Sequence, residues 1–129
     1  MNIEHITTEI VALERTALDR WGMGDPSGYL EISAPEVSYF DPFIERRVDG
    51  LEALTSLYAP LRGTIHIDHY DMISPQVQVY GEVAILAFNL VSQSGATVMR
   101  WNCSEMYRQT QDGWRIAHTH WSITQHLNN

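Results

Sequence analysis

The sequence predicts an α+β fold, and three observations carry that prediction. Apolar residues recur at helical spacing in the stretches before Leu61, the pattern changes to strand-like alternation after Thr64, and the last two alternating stretches flank Asp112-Gly113. Such an Asp-Gly pair between alternating segments is a strong short-range hairpin signal. Helices first and antiparallel strands afterwards place the two kinds of element on opposite sides of one core.

The first helix spans Ile3 to Trp21, where Ile6, Ile10, Leu13, Ala17 and Trp21 form one face. Thr7 or Thr8 is its expected cap, and Gly22 with Gly24 ends it. Asp25-Pro26 starts a second, short helix running to about Ser33, with Asp25 as N-cap and Pro35 as terminator. Val37 to Asp41 is a short strand stopped by Pro42, and alternation puts Tyr39 and Asp41 on one face. A second short strand runs from Glu45 to Val48. Asp49-Gly50 then turns into a third helix, Leu51 to Leu61, whose inner stripe is Leu51, Leu54, Leu57, Tyr58 and Leu61. Ile65 to Ser74 is a strand broken at Pro75, and Gln76 to Tyr80 continues it up to the Gly81-Glu82 turn. Val83 to Gln93 is apolar almost throughout, as a strand covered on both faces should be. Ser94-Gly95 leads into the closing hairpin, Thr97 to Gln109 and Trp114 to Gln125, with His126 and Asn128-Asn129 as a frayed tail.

The closing strand offers the main chemical signal. Strict alternation puts Trp114, Ile116, His118, His120 and Ser122 on one face and Arg115, Ala117, Thr119, Trp121 and Ile123 on the other. The face that begins with Trp114 and Ile116 is the expected inner one, so two imidazoles roughly 6.5–7 Å apart point inward. With Asp112-Gly113 as a two-residue turn, Glu105 lies opposite His120, Tyr107 opposite His118 and Cys103 opposite Ser122; a three-residue loop shifts each pairing by one. A carboxylate beside an imidazole fixes its tautomer and raises its basicity. The bland alternative is that these polar groups merely satisfy one another. His66, Asp68, His69, Glu105, His118 and His120 also include metal-ligand types, but in no recognised ligand spacing, so no metal and no cofactor is expected. Cys103 reads as a small core residue.

Composition narrows the partners. The 129 residues suit a single domain spanning 1–129, and the formal net charge of −8 makes nucleic acid and anionic membranes poor partners. All eight basic residues are arginine. The single cysteine allows no internal disulfide, and no apolar run approaches the ~18 residues of a membrane span, so a cytoplasmic location is expected.

The stretches Tyr39-Phe40-Asp41-Pro42, Ile73 to Glu82, and Asp112-Gly113-Trp114 through His118-Thr119-His120-Trp121-Ser122 resemble the nuclear transport factor 2-like superfamily. That superfamily includes ketosteroid isomerase, scytalone dehydratase and the SnoaL-like cyclases. Within it, the likeness is nearest to the association domain of calcium/calmodulin-dependent protein kinase II and its stand-alone bacterial relatives. The resemblance implies a cone: three N-terminal helices packed in a strongly curved antiparallel sheet around a deep apolar pocket. It places Asp41 where the isomerase has its proton-shuttling aspartate and Glu105 where it has a protonated aspartic acid. Ala17 stands where the isomerase has an oxyanion-hole tyrosine, and Glu105 where the association domain has a pocket arginine. The fold hosts unrelated activities, so two functions are open. One is a cofactor-independent isomerase, cyclase or dehydratase acting on a small apolar or cyclic molecule. Its catalytic residues are Asp41, Glu105, His118 and His120, in a pocket of Tyr39, Tyr58, Trp21, Trp101, Tyr107 and Ala17, with Phe40 and Trp114 adding aromatic lining. The other is a ligand-binding or assembly module, a homodimer or larger homo-oligomer joined through the stripe Arg115, Ala117, Thr119, Trp121 and Ile123.

Overall fold

A computed structural model describes residues 2–124. The expected strand end at Gln125 and the tail with His126, Asn128 and Asn129 lie outside the described residues. Helix α1 (Ile3–Gly22) is capped by the side chain of Asn2, which accepts from the His5 amide at 3.0 Å, well before the expected Thr7 or Thr8. Its buried stripe is Ile6, Ile10, Glu14, Ala17 and Leu18. The interruption of an apolar stripe by a glutamate bears on the site below. Gly24, at φ +80°, sits within 3.0 Å of Gly63 once a Cβ is imagined on it, so glycine is required there on both counts.

Helix α2 (Ser27–Glu31) is shorter than expected, and strand β1 (Ser33–Phe40) begins before Pro35. Pro35 is compatible with that position because the pairing of β1 with the last strand is irregular between Ser33 and Ser38. Strand β2 (Val48–Asp49), helix α3 (Leu51–Tyr58) and a 3₁₀ turn (Ala59–Leu61) follow. Strands β3 (His69–Tyr80), β4 (Val83–Ser94), β5 (Thr97–Thr110) and β6 (Gly113–Ile123) complete one six-stranded sheet of order β2-β1-β6-β5-β4-β3. β3 runs through Pro75 rather than breaking there: a bulge between Ile73 and Gln76, with Ser74 at φ 49°, absorbs the proline. All pairings are antiparallel except β1 with β6, which is parallel. The helices cover one face of the sheet, where Ile10, Leu18, Leu54, Leu86, Phe88, Leu90, Trp114 and Ile116 form the core.

The closing hairpin departs from the expected register in two places. Thr110 pairs with Gly113, so Gln111-Asp112 is the two-residue loop and Gly113 (φ +105°) lies just after it. A bulge between Tyr107↔Ile116 and Met106↔His118 then inserts one extra residue into β6. A bulge of this kind moves every later side chain to the opposite face. Trp114 and Ile116 point inward as expected, but from there on the inward set is Ala117 and Thr119, both buried, followed by Trp121. His118 and His120 point outward. Glu105 pairs with Thr119 and Cys103 with Trp121, which corrects the Glu105–His120, Tyr107–His118 and Cys103–Ser122 pairings.

Candidate functional site

Between the helices and the inner sheet face lies a cavity of about 410 Å³. Its wall is aromatic: Trp21 from α1, Tyr29 from α2, Tyr39 from β1, Tyr58 from α3, Trp101 from β5 and Trp121 from β6, with Phe43 at the rim. The rings meet at steep angles. Trp21 stands 4.9 Å from Tyr58 at 66° and 6.0 Å from Tyr29 at 79°; Tyr39 meets Tyr58 at 88° and Trp101 meets Trp121 at 83°. Edge-to-face contacts of this kind hold the rings as a fixed frame.

One carboxylate stands on that wall. Asp41 follows β1 directly, two residues beyond Tyr39 and on the same face. Its Oδ2 accepts from the Tyr39 hydroxyl at 2.8 Å and its Oδ1 from the Phe43 amide at 2.7 Å. Pro42 stops the strand there, and the aspartate side chain closes the turn over it. Burial, with Tyr58 and Asp41 alongside, holds the Tyr39 phenol well above its ordinary range, so it remains a donor. Burial does the same for Tyr58, which is within hydrogen-bond reach of Tyr39. His66, also in the lining, bonds Asp68 at 2.6 Å, and Asp68 accepts from the Gly95 amide at 2.7 Å. These two bonds hold the Asp68 carboxyl below the usual range.

Behind the cavity is a second polar cluster, fully buried. Glu14 (0% exposed) accepts from the Tyr29 hydroxyl at 2.5 Å and the Tyr107 hydroxyl at 2.7 Å. Glu105 (1% exposed) accepts from Thr119 at 2.8 Å through Oε2, while its buried Oε1 has no donor. Burial, and next the negative charge of Glu14, push the Glu105 carboxyl well above its usual range. Both carboxyls are satisfied when Glu105 keeps its proton and donates from Oε1 to Glu14. Tyr29, Tyr107 and the Glu105 acid then all donate to Glu14. Tyr29 joins the two regions, since its ring lines the cavity and its hydroxyl belongs to the cluster.

The structure places Asp41, Tyr39, Tyr58, Trp21 and Trp101 around the one cavity. Glu105, Tyr107 and Ala17 are buried behind the cavity rather than on it, and Trp114 is a core residue. His118 and His120 lie on the outer sheet face. There Ser38 Oγ meets His118 Nδ1 at 2.7 Å, and Phe40, also outward, packs against both imidazoles at 6.0 and 5.1 Å. Burial, and next the adjacent His120, lower the His118 value. The assumption that failed was unbroken alternation along β6. Glu14 was missed although its signal is legible: it follows Ile10 by four residues and precedes Ala17 by three, so it shares their face. Among the described residues no three His, Cys, Asp or Glu side chains converge as a metal would need, and no helix is long and apolar enough to cross a membrane.

Residues 7–125 match the family model of the calcium/calmodulin-dependent protein kinase II association domain. The chain belongs to that family. A protein from Parabacteroides distasonis, provisionally named a ketosteroid isomerase, is 42% identical, covering 92% of this chain and 88% of its own with a TM-score of 0.83. The association domain of the Caenorhabditis elegans kinase superposes with a TM-score of 0.78 at 21% identity, over 92% of this chain and 96% of its own. A nuclear transport factor 2-like protein from Pseudomonas putida gives 0.84 at 18% identity, over 96% and 90%. At those lower identities the likeness is one of fold, and it is the cone expected from the sequence. No curated protein matches the chain. Membership of the association-domain family thus accounts for the cone and leaves its chemistry to the residues on the wall.

Proposed function

We propose that this protein binds a small, largely apolar molecule in the cone and that Asp41 acts on it as a general base. The observation that carries the reading is a cavity of about 410 Å³ walled by aromatic rings with one carboxylate among them. Apolar walls exclude water and strengthen the interaction of that carboxylate with a carbon-bound proton next to a carbonyl. In this reading Asp41 takes the proton, the Tyr39 hydroxyl keeps the carboxylate oriented and Tyr58 donates to the developing oxyanion; Asp41 then returns the proton to the γ-carbon in isomerisation, or to the departing hydroxyl, which leaves as water, in dehydration. The reaction class is isomerisation or dehydration without a cofactor. Glu105, His118 and His120 have no contact with the substrate.

Two probes test the reading. Binding of 2-naphthol should perturb the fluorescence of the wall tryptophans, and conjugation of 3-cyclohexen-1-one, followed by ultraviolet absorbance, should depend on Asp41. No 2-naphthol binding and no small molecule co-purifying with the protein would overturn the ligand reading. Conjugation at equal rates in wild type and Asp41→Asn would overturn the catalytic half alone.

A second reading, assembly into homo-oligomers, is favoured by family membership and by the outer sheet face. Ile85 and Met106, at 37% and 36% exposure, are directly paired there, and Met106 is also paired with His118. The contact surface in this proposal is Phe40, Ile85, Met106 and the two histidines, in place of the stripe of Ala117, Thr119 and Trp121, which faces inward. Light scattering should give at least a dimer at micromolar concentration, and Met106→Glu should dissociate it. A monomeric wild type would refute it.

A further inference from the structure

We propose that the molecule held in the cone is an organic cation of the alkylammonium class. The inference deepens the small-molecule reading above and is independent of whether Asp41 moves a proton.

Three features of the cavity select for positive charge. The first is the frame of rings. Trp21 meets Tyr29 and Tyr58 at 79° and 66°, and Trp101 meets Trp121 at 83°, so walls at steep angles border one volume. The electron-rich face of an indole or phenol attracts a cation within about 6 Å of its centre, and attracts it more strongly where water is excluded. Several rings around one ammonium group add their attractions.

The second feature is the balance of formal charge. Asp41 contributes a carboxylate to the wall, whereas no arginine lines the cavity among the described residues. The chain has no lysine. Among the described residues His66 is the only basic side chain on the wall, and it carries Asp68 as a partner at 2.6 Å. A charged imidazole there is therefore already neutralised. An anionic ligand would leave water and find no counter-charge, at a cost that an apolar site cannot offset.

The third feature is the buried cluster behind Tyr29. The carboxyls of Glu14 and Glu105 are held by Tyr29, Tyr107 and Thr119, and among the described residues no cation is a hydrogen-bond partner of either. Tyr29 donates its hydroxyl to Glu14 while its ring lines the cavity. Electron-rich carboxyl oxygens without a counter-cation thus stand behind one wall, and in a medium of low dielectric their field reaches the cavity. Rings, Asp41 and the buried pair all favour the same sign.

Three probes of nearly one shape separate charge from fit: choline, its neutral isostere 3,3-dimethylbutan-1-ol, and the anion 3,3-dimethylbutanoate. Binding to the full-length protein is read by calorimetry and by tryptophan fluorescence. Choline should bind about tenfold or more tightly than the alcohol, and the anion should be weakest. Trp101→Leu keeps the wall apolar but removes a ring face, so it should weaken choline several-fold more than it weakens the alcohol. Asp41→Asn should narrow the gap between choline and the alcohol. Equal affinity for choline and the alcohol, tighter binding of the anion, or no choline binding while 2-naphthol binds would each overturn the proposal and leave the small-molecule reading standing. Failure of choline and 2-naphthol together would overturn both.

Discussion

Asp41 and the pair Glu14–Glu105 are acidic groups on the same side of one sheet, yet their surroundings differ in every respect that matters. Asp41 is half-buried, and its donors come from two residues on either side, so its position is fixed locally by a strand end and a turn. Glu14 and Glu105 are almost fully enclosed, and Glu14 is joined to a tyrosine 93 residues away. The first arrangement leaves a carboxylate facing a cavity. The second uses every acceptor of Glu14 and forces one proton to be retained, because two buried charges in contact cannot both persist. A carboxyl group is thus made available or structural by who supplies its donors. Residue type alone does not decide it.

The sharpest way to break this contrast is at Glu14. Glu14→Gln gives two tyrosine hydroxyls and the Glu105 acid a poorer acceptor, and about 3 kcal/mol of stability should be lost in urea denaturation at pH 7. A loss below about 1 kcal/mol would show that the cluster is not the structural unit described. Asp41→Asn should do the reverse. Turnover of 3-cyclohexen-1-one should drop at least about a hundredfold, while stability changes by no more than about 1 kcal/mol. Loss of stability without loss of turnover would exchange the roles of the two regions.

Glu105→Gln sharpens the comparison through pH. The folded state holds the Glu105 proton more tightly than the unfolded chain does, so the unfolded chain releases it first as pH rises. Stability is therefore full below the ordinary carboxylate value and declines as pH climbs toward the raised one, by roughly 1.4 kcal/mol per pH unit. Glutamine reproduces the neutral acid, accepting from Thr119 and donating to Glu14, and has no proton to lose. The stability of Glu105→Gln relative to wild type should rise steadily from pH 5 upward in paired denaturation curves. A difference that stays constant with pH would mean that Glu105 is ionised in the folded protein. The smallest effect is expected outside the cone: His120→Ala should leave 2-naphthol affinity unchanged and alter stability by about 0.5 kcal/mol or less. A clear loss of affinity would return that imidazole to the pocket.

Much of the fold was legible because period and punctuation agreed. The helical stripe of α1, the Gly-rich end after it, the Pro42 stop beside Asp41 and the long apolar β4 each carry their signal locally. What stayed hidden was long-range. Along β6, Trp114-Ile116 and Ala117-Thr119-Trp121 are two apolar series of opposite phase, and only the neighbouring strand decides where one hands over to the other. The histidines moved to the outer face for that reason alone. Pro35 and Pro75 read as breaks because proline removes a ladder donor, and the irregular pairing that tolerates each is set by the partner strand. Glu14 was hidden differently. Its spacing marked it as inward-facing, but the hydroxyls that make a buried glutamate acceptable come from α2 and β5.

The position of β6 between β1 and β5 has a consequence for how the protein is made. The last strand of the described chain occupies an interior place in the sheet, and its parallel partner β1 is some 80 residues earlier, as the Ser38–His118 bond shows. A chain emerging from the ribosome therefore offers its helices and β1 before the strand that joins them to the rest exists. Until then, β1 and β5 each present an open edge and the inner face of the half-built sheet is uncovered. Closing so long a loop is slow compared with pairing β3, β4 and β5 into successive hairpins. Assembly of the cone thus waits on its final segment, and the interval before β6 inserts is when the nascent protein is most exposed to aggregation.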